Sequence, residues 1–197
     1  MTSSTTLVSE LSSSRAIHAA SVLFMTALTA AAAQVSVPLP FTQVPFTLQP
    51  MVVLLAGLTL GPRLGLASQV LYLALGIAGL PVFAASATLP PGPLRLLGPT
   101  GGYLMAYPLA AYVTGALAKR GFDRRYATSI VAMLAGLVVI YTCGVTWLGL
   151  SLGFTQALAA GVLPFVAADL LKLIAAAAIV PALWTLVGAD RPDDRRK

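Results

Sequence analysis

The chain has 197 residues, of which 58% are apolar and only 9% charged, and its mean hydropathy is +0.89. Soluble domains carry about a quarter charged residues, so this composition excludes a water-soluble fold; at roughly 20 residues per span, the length allows about six membrane spans and no separate soluble domain. The net charge of +6 sits in short clusters between apolar runs, where membrane topology accounts for it, and no basic face or motif points to nucleic acid.

Residues 1–15 form a polar N-terminal segment containing Glu10, without the basic start, short apolar core and cleavage site of a secretory leader. The first apolar run therefore reads as a retained helix, from about Ala16 to Val35. It is rich in small residues, and Ala16, Ala20, Ala27 and Ala31 partly repeat the small-xxx-small spacing that lets helices approach closely in a membrane. Ser36-Val-Pro-Leu-Pro-Phe-Thr-Gln-Val-Pro-Phe-Thr-Leu-Gln49 follows, an uncharged loop whose prolines exclude helix and whose apolar character predicts packing onto the membrane domain.

A short second span is expected from Pro50 to Leu60, a turn at Gly61-Pro62-Arg63, and a third span from Leu64 to Ala84. Gly57, Gly61 and Gly65 repeat every four residues, but Pro62 among them points to a tight turn and not to a dimer face. Pro81 to Gly102 reads as a second long loop, and the fourth span as Tyr103 to Ala118. Lys119-Arg-Gly-Phe-Asp-Arg-Arg125 makes a basic turn before a fifth span, Tyr126 to Leu150. Ser151 to Pro164 reads as a nearly uncharged connection, Phe165 to Val187 as the sixth span, and residues 188–197 as a charged tail. The membrane domain is thus 16–187, all-α, with six transmembrane helices and no internal repeat of the kind that marks inverted-repeat carriers. The lone Cys143 lies in an apolar run, reads as a small core residue, and says nothing about compartment.

Ten of the twelve lysines and arginines fall on one side of this topology: Arg15, Arg63, the four between 119 and 125, and the four in the tail. The other side holds only Arg95. The positive-inside rule then places both termini in the cytoplasm and the three long, uncharged or proline-rich loops outside, in a multi-pass protein of the bacterial cytoplasmic (inner) membrane.

The remaining base, Lys172, forms with Asp169 the only ionisable pair inside an expected span. A charge in hydrocarbon costs about 2.5 to 3.5 kcal/mol on insertion scales, and such residues mostly mark function. Three residues apart on a helix, the two share a face and can touch, one to two turns from Pro164 on the outer side. One reading is a self-neutralising structural pair; another is a polar anchor in an apolar cavity for a small ligand; a proton relay is a third. Gln49, Tyr103 and Trp147 near the outer ends of spans could complete a pocket, although Trp and Tyr at that depth often anchor a helix at the interface. His18 has no second histidine, cysteine or carboxylate beside it, so no metal site is expected. No glycine precedes a lysine, so the ATP-binding phosphate loop is absent; neither a Gly-x-Ser-x-Gly elbow nor His-Glu-x-x-His occurs. An enzyme is the weakest reading, and no cofactor is implied.

Several blocks, ordered from about residue 36 to 180, resemble the BioY family, the biotin-specific S components of energy-coupling factor transporters. They are Pro40-Phe-Thr-Gln-Val-Pro-Phe-Thr-Leu-Gln49, Leu54-Leu-Ala-Gly-Leu-Thr-Leu-Gly61, Gly79-Leu-Pro-Val-Phe83, Gly98-Pro-Thr-Gly-Gly-Tyr103, and Gly161-Val-Leu-Pro-Phe165 followed by Asp169 and Lys172. The resemblance implies a six-helix S-component fold that binds biotin with high affinity from outside. It also implies partners: a transmembrane coupling protein and a pair of ABC-type ATPases supplying the energy that this chain cannot. The family's Asp-x-x-Lys falls on Asp169 and Lys172, and its relatives' small-residue contact with the coupling protein falls on Ala27 and Ala31. One departure is that Ala84 to Leu97 holds no asparagine, where a polar ligand contact is expected.

Biotin offers a ureido ring with two N–H donors and a carbonyl, an apolar thioether ring, and a valerate carboxylate. The expected pose has Asp169 accepting a ureido N–H and Lys172 donating to the ureido carbonyl, with Lys172 on the valerate as its rival. Phe46, Tyr103 and Trp147 would line the thioether ring, and the loops 36–49 and 81–102 would act as lids. An S component for thiamine or riboflavin and a proton-coupled secondary carrier are the alternatives. Association with further copies of the chain is left open.

Overall fold

The computed structural model of the chain describes Thr6, residues 14–85 and residues 92–187; most of the N-terminal segment, part of the second long loop and the tail from 188 lie outside the described residues. Among these it is almost wholly helical. Its elements are α1 (Arg15–Gln34), a two-residue antiparallel ribbon of β1 (Ser36–Val37) and β2 (Phe46–Thr47), α2 (Gln49–Ile77), α3 (Leu94–Leu97), α4 (Gly101–Leu117), α5 (Tyr126–Leu152), α6 (Phe154–Gly161), α7 (Leu163–Ala176) and α8 (Ile179–Val187). Among the described residues four stretches are long and apolar enough to cross a membrane: Arg15–Gln34, Gln49–Ile77, Tyr126–Leu152 and Leu163–Thr185, the last running through α7 and α8.

The longest of these is a hairpin. Gly61 takes φ 79°, open to glycine but costly for any residue with a Cβ, and Pro62 can donate no hydrogen bond to the turn before it. The chain doubles back there, so that Gln49 and Tyr72, about 35 Å apart along a straight helix, are joined by a 2.6 Å hydrogen bond. Gly57 and Gly65 meet across the fold: a Cβ on Gly65 would lie 3.0 Å from the Gly57 Cα. The turn expected at Gly61-Pro62-Arg63 is therefore present, and the flanking glycines serve close helix contact as well as the turn.

Lipid removes the hydrophobic drive between helices, so they must hold together by close packing and interhelical hydrogen bonds. The centre of the molecule shows both. The α2 hairpin and α5 both pack on α4, and they also touch each other beside it. The α4 face in between is small (Ala106, Ala110, Ala111, Thr114 and Gly115), and a Cβ on Gly57 would strike the Ala111 carbonyl oxygen. α1 leans chiefly on the hairpin, through Thr26, whose hydroxyl donates to the Ser68 carbonyl at 2.9 Å, and through Thr29, which accepts from Gln69 Nε2 at 3.2 Å. Ala27 and Ala31 lie on the opposite, exposed face of α1, so internal packing uses Ala32 and Ala33 instead. Leu23, Phe24, Val138 and Leu171 are exposed on the outside, as lipid and not water requires.

Several boundaries differ from the sequence reading. The third expected span ends at Ile77, seven residues before Ala84, because Gly79 at φ 93° and then Pro81 stop the helix. The connection from Ser151 to Pro164 is largely helical: Gly153, at φ 82°, ends α5 and opens α6, whose eight residues hold no proline. The stretch expected as the sixth span is two helices interrupted at Ala177 and Ala178, where Pro181 has no N–H for the Ala177 carbonyl. The second loop contains the single-turn α3.

Candidate functional site

At one end of the bundle lies a cavity of about 340 Å³. Its roof is the loop from Pro38 to Pro45, the Phe83–Ala85 segment and Arg95 of α3; its walls come from the starts of α2, α4 and α7 and the middle of α5. The opposite end carries Arg15, Arg63 and the basic turn. There the Gly61–Pro62 backbone abuts Gly115, near the end of α4, and Ile17 shares a groove with Leu60.

Among the described residues the wall's only carboxylate is Asp169, one and a half turns into α7, whose start is set by Pro164 in the first turn. Both of its oxygens are engaged. Lys172 Nζ donates to Oδ1 at 2.9 Å, as the i,i+3 spacing requires, and the Tyr141 hydroxyl of α5 donates to Oδ2 at 2.7 Å. Lys172 stands behind the carboxylate and off the cavity surface. Its ammonium also donates to the Thr47 carbonyl at 2.7 Å and lies 3.5 Å from the Phe46 ring centroid. A buried ion pair survives only with such extra partners. The pair thus ties α7 to the β-ribbon that carries the cavity roof.

Gln49 and Tyr103 also line the cavity. Gln49 Nε2 donates to the Tyr72 hydroxyl, which donates in turn to the Val82 carbonyl at 3.2 Å, fastening the roof to the helix hairpin. The Tyr103 hydroxyl donates to the Gly161 carbonyl at 3.0 Å; a Cβ on Gly144 or Gly161 would collide with this tyrosine, so both positions leave it room. Phe46 faces the Lys172 ammonium and not the cavity. Trp147 lies outside the lining too: its indole N–H donates to the Gly98 carbonyl at 2.9 Å and its ring packs against Gly102, fixing the start of α4.

The structure brings to the cavity polar groups that the motif reading did not, among them Arg95 and Tyr141. Arg95, marked in the sequence only as the lone base on its side, is 8% exposed and donates to the Ala84 carbonyl, while its Nε is buried with no partner among the described residues. Burial pulls its pKa below the ordinary value for a guanidinium, which remains a cation at any physiological pH. Tyr141 was discoverable as a tyrosine in mid-span, far from the interface where tyrosines gather. The lining therefore combines anionic acceptors, a cation with an unused donor, and apolar surface from Ile140, Leu104 and Phe165. It suits a small molecule with N–H donors, an anionic group and an apolar body. No cluster of three or more metal-ligating side chains occurs among the described residues.

Known proteins share this architecture. A crystal structure of the S-component for biotin from an ECF-type ABC transporter superposes with a TM-score of 0.78 at 28% identity, covering 87% of this chain and 92% of that one. The "Probable biotin transporter BioY" of Pyrococcus horikoshii is 44% identical over 162 residues, spanning 82% of this chain and 93% of that protein. The "Biotin transporter BioY" of Thermotoga maritima is 41% identical over 162 residues, 82% of this chain and 92% of its own length. The profile of the BioY family matches residues 3–189, helices and cavity included, and the chain belongs to that family.

Proposed function

We propose that this chain is the biotin-binding S component of an ECF-type uptake transporter, capturing biotin with high affinity from the outer side of the cytoplasmic membrane. The observation that carries the reading is the placing of Asp169 and Arg95 on different elements around one cavity. A ureido N–H finds its acceptor in Asp169, and the valerate carboxylate finds its partner in Arg95, whose planar guanidinium suits a carboxylate better than an ammonium does. Lys172, off the cavity surface and donating to Asp169 and to the Thr47 carbonyl, does not reach the ureido carbonyl and acts by holding the carboxylate in the wall. Thiamine and riboflavin, which share no carboxylate, leave the Arg95 donors unanswered.

In this reading the hairpin halves of α2, together with α1, α4, α5 and the α7–α8 run, make six spans. The described basic residues gathered opposite the cavity support cytoplasmic termini and an outward-facing site. A transporter subunit without a phosphate-binding loop takes its energy from others, here a transmembrane coupling protein and an ABC ATPase pair. The exposed small-residue face of α1, at Ala27 and Ala31, is the proposed contact for the coupling protein. Titration of the detergent-solubilised protein with biotin tests the core of the proposal. One site per chain is expected; the absence of heat from folded protein would overturn it.

A further inference from the structure

Recognition of a ureido N–H demands more than a carboxylate in the wall. The last torsion of an aspartate is broad and roughly two-fold, so a carboxylate held at one oxygen can swing about that contact and present its lone pairs anywhere. Lys172 alone, reaching Oδ1 from one turn further along the same helix, is such a single hold. The hydroxyl of Tyr141 supplies the second. It comes from α5, a different helix, reaches the other oxygen at 2.7 Å, and sits with Asp169 on the cavity surface. That distance is a full O–H···O hydrogen bond, at the upper limit of the charge-assisted range.

We infer that Tyr141 is a positioning residue for ligand recognition: its hydroxyl pins the plane of the Asp169 carboxylate so that the remaining acceptor sites face the cavity and select a ligand bearing N–H donors. A carboxylate has about four acceptor sites; Lys172 and Tyr141 occupy one on each oxygen. The hydroxyl proton is committed to Asp169, so the phenol oxygen itself turns only lone pairs toward the ligand. This patch therefore offers acceptors and no free donor. A ligand placing a carbonyl or ether there meets repulsion and an unmade hydrogen bond, while one placing N–H groups there is held by a fixed charge in a low-dielectric wall.

This assignment rests on the biotin reading, and the test separates the two. Biotin affinities are measured for the wild type, Tyr141→Phe, Asp169→Asn and the double variant, each as full-length protein in detergent and with ligand up to millimolar. Asp169→Asn keeps one carbonyl acceptor, which holds its binding inside that range. Tyr141→Phe is expected to weaken biotin about 10-fold in the wild-type background and less than about 2-fold in the Asp169→Asn background, because the tyrosine acts through the carboxylate. Equal losses in both backgrounds would overturn the inference, making Tyr141 an independent part of the wall. So would unchanged affinity in the single variant, including the case where its melting temperature without ligand falls and Tyr141 merely fastens α5 to α7. A folded wild type that does not bind biotin would instead sink the biotin reading, and this assignment with it.

Discussion

Among the described residues two carboxylates are buried, at opposite ends, each beside a cation that rests on an aromatic ring. Asp169 has a lysine at 2.9 Å, a tyrosine hydroxyl at 2.7 Å, and an aromatic ring, Phe46, under the lysine. Asp123, in the turn after α4, accepts from the Trp184 indole N–H at 3.0 Å, has Arg124 at 3.8 Å, and that arginine stacks 3.5 Å over the Trp184 ring. The difference is access. Asp169 forms part of a cavity wall, whereas Asp123 is fully buried and lines no described cavity. Similar ingredients thus make a site where a ligand can reach the acceptors, and a fastener where the surroundings are closed although Asp123 Oδ1 accepts no hydrogen bond among the described residues. Charge burial alone does not identify function; the empty volume beside it does.

The comparison breaks most visibly at Asp169. Replacing it with Asn is expected to cut biotin affinity about 100-fold, near 2.7 kcal/mol, the upper range for a hydrogen bond to a charged group. Calorimetric titration reads this directly; an unchanged constant would demote Asp169 to a structural pair like Asp123. Arg95→Gln comes next, with a loss of about 30-fold for biotin and almost none for biotin methyl ester, which lacks the carboxylate. Similar losses for both ligands would place Arg95 in the roof's architecture and not against the valerate.

The sequence made much of this legible, and its failures have a common cause. The Gly61-Pro62 turn and the Asp169–Lys172 contact were readable because backbone restriction and i,i+3 spacing are local. Tyr141 and Arg95 were not assigned because what makes them matter, Asp169 on another helix and the Ala84 carbonyl in another part of the loop, is set by tertiary folding. Trp147 fitted a pocket by depth in the membrane and Phe46 as an aromatic for the thioether ring, but neither depth nor residue type carries an azimuth, and the structure turns them to Gly98 and Lys172. Asp123 sat in a run of four bases that reads as a solvated turn; only the arrival of Trp184 from the last helix buries it. α6 was missed because low charge with no span-length run looks the same in a loop and in a short helix.

At the fastener end the expected effects are on stability and not on binding. Trp184→Phe keeps most of the ring but removes the N–H, leaving a buried carboxylate oxygen without its donor. The expected cost is about 1.5 kcal/mol, seen as a fall of roughly 3 to 6 °C in melting temperature for a chain this size. Biotin affinity should stay within about 2-fold. A large change in affinity would mean that the two ends are coupled and that the comparison between them is too sharp.

The smallest effect is a pH dependence, and its sign separates burial from ion pairing as the ruler of Asp123. An ion-paired carboxylate titrates low; burial has instead pushed Asp123 up to about 6, with Trp184 and Arg124 only partly offsetting it. An unfolded aspartate titrates near 3.9, so the folded protein binds this proton more tightly than the unfolded chain. Its contribution to stability is then fully present below about pH 4 and lost as pH rises through about 6, with no further change above. Asp123→Asn keeps an acceptor for the indole and does not titrate. Its melting temperature relative to wild type should rise by about 2 °C between pH 4.5 and 7.5, less than the full linkage ceiling because a turn can open and hydrate its carboxylate. A relative melting temperature that falls over the same interval would show that Arg124 holds Asp123 as a favourable ion pair, and would make the two ends of the molecule more alike than their access to solvent suggests.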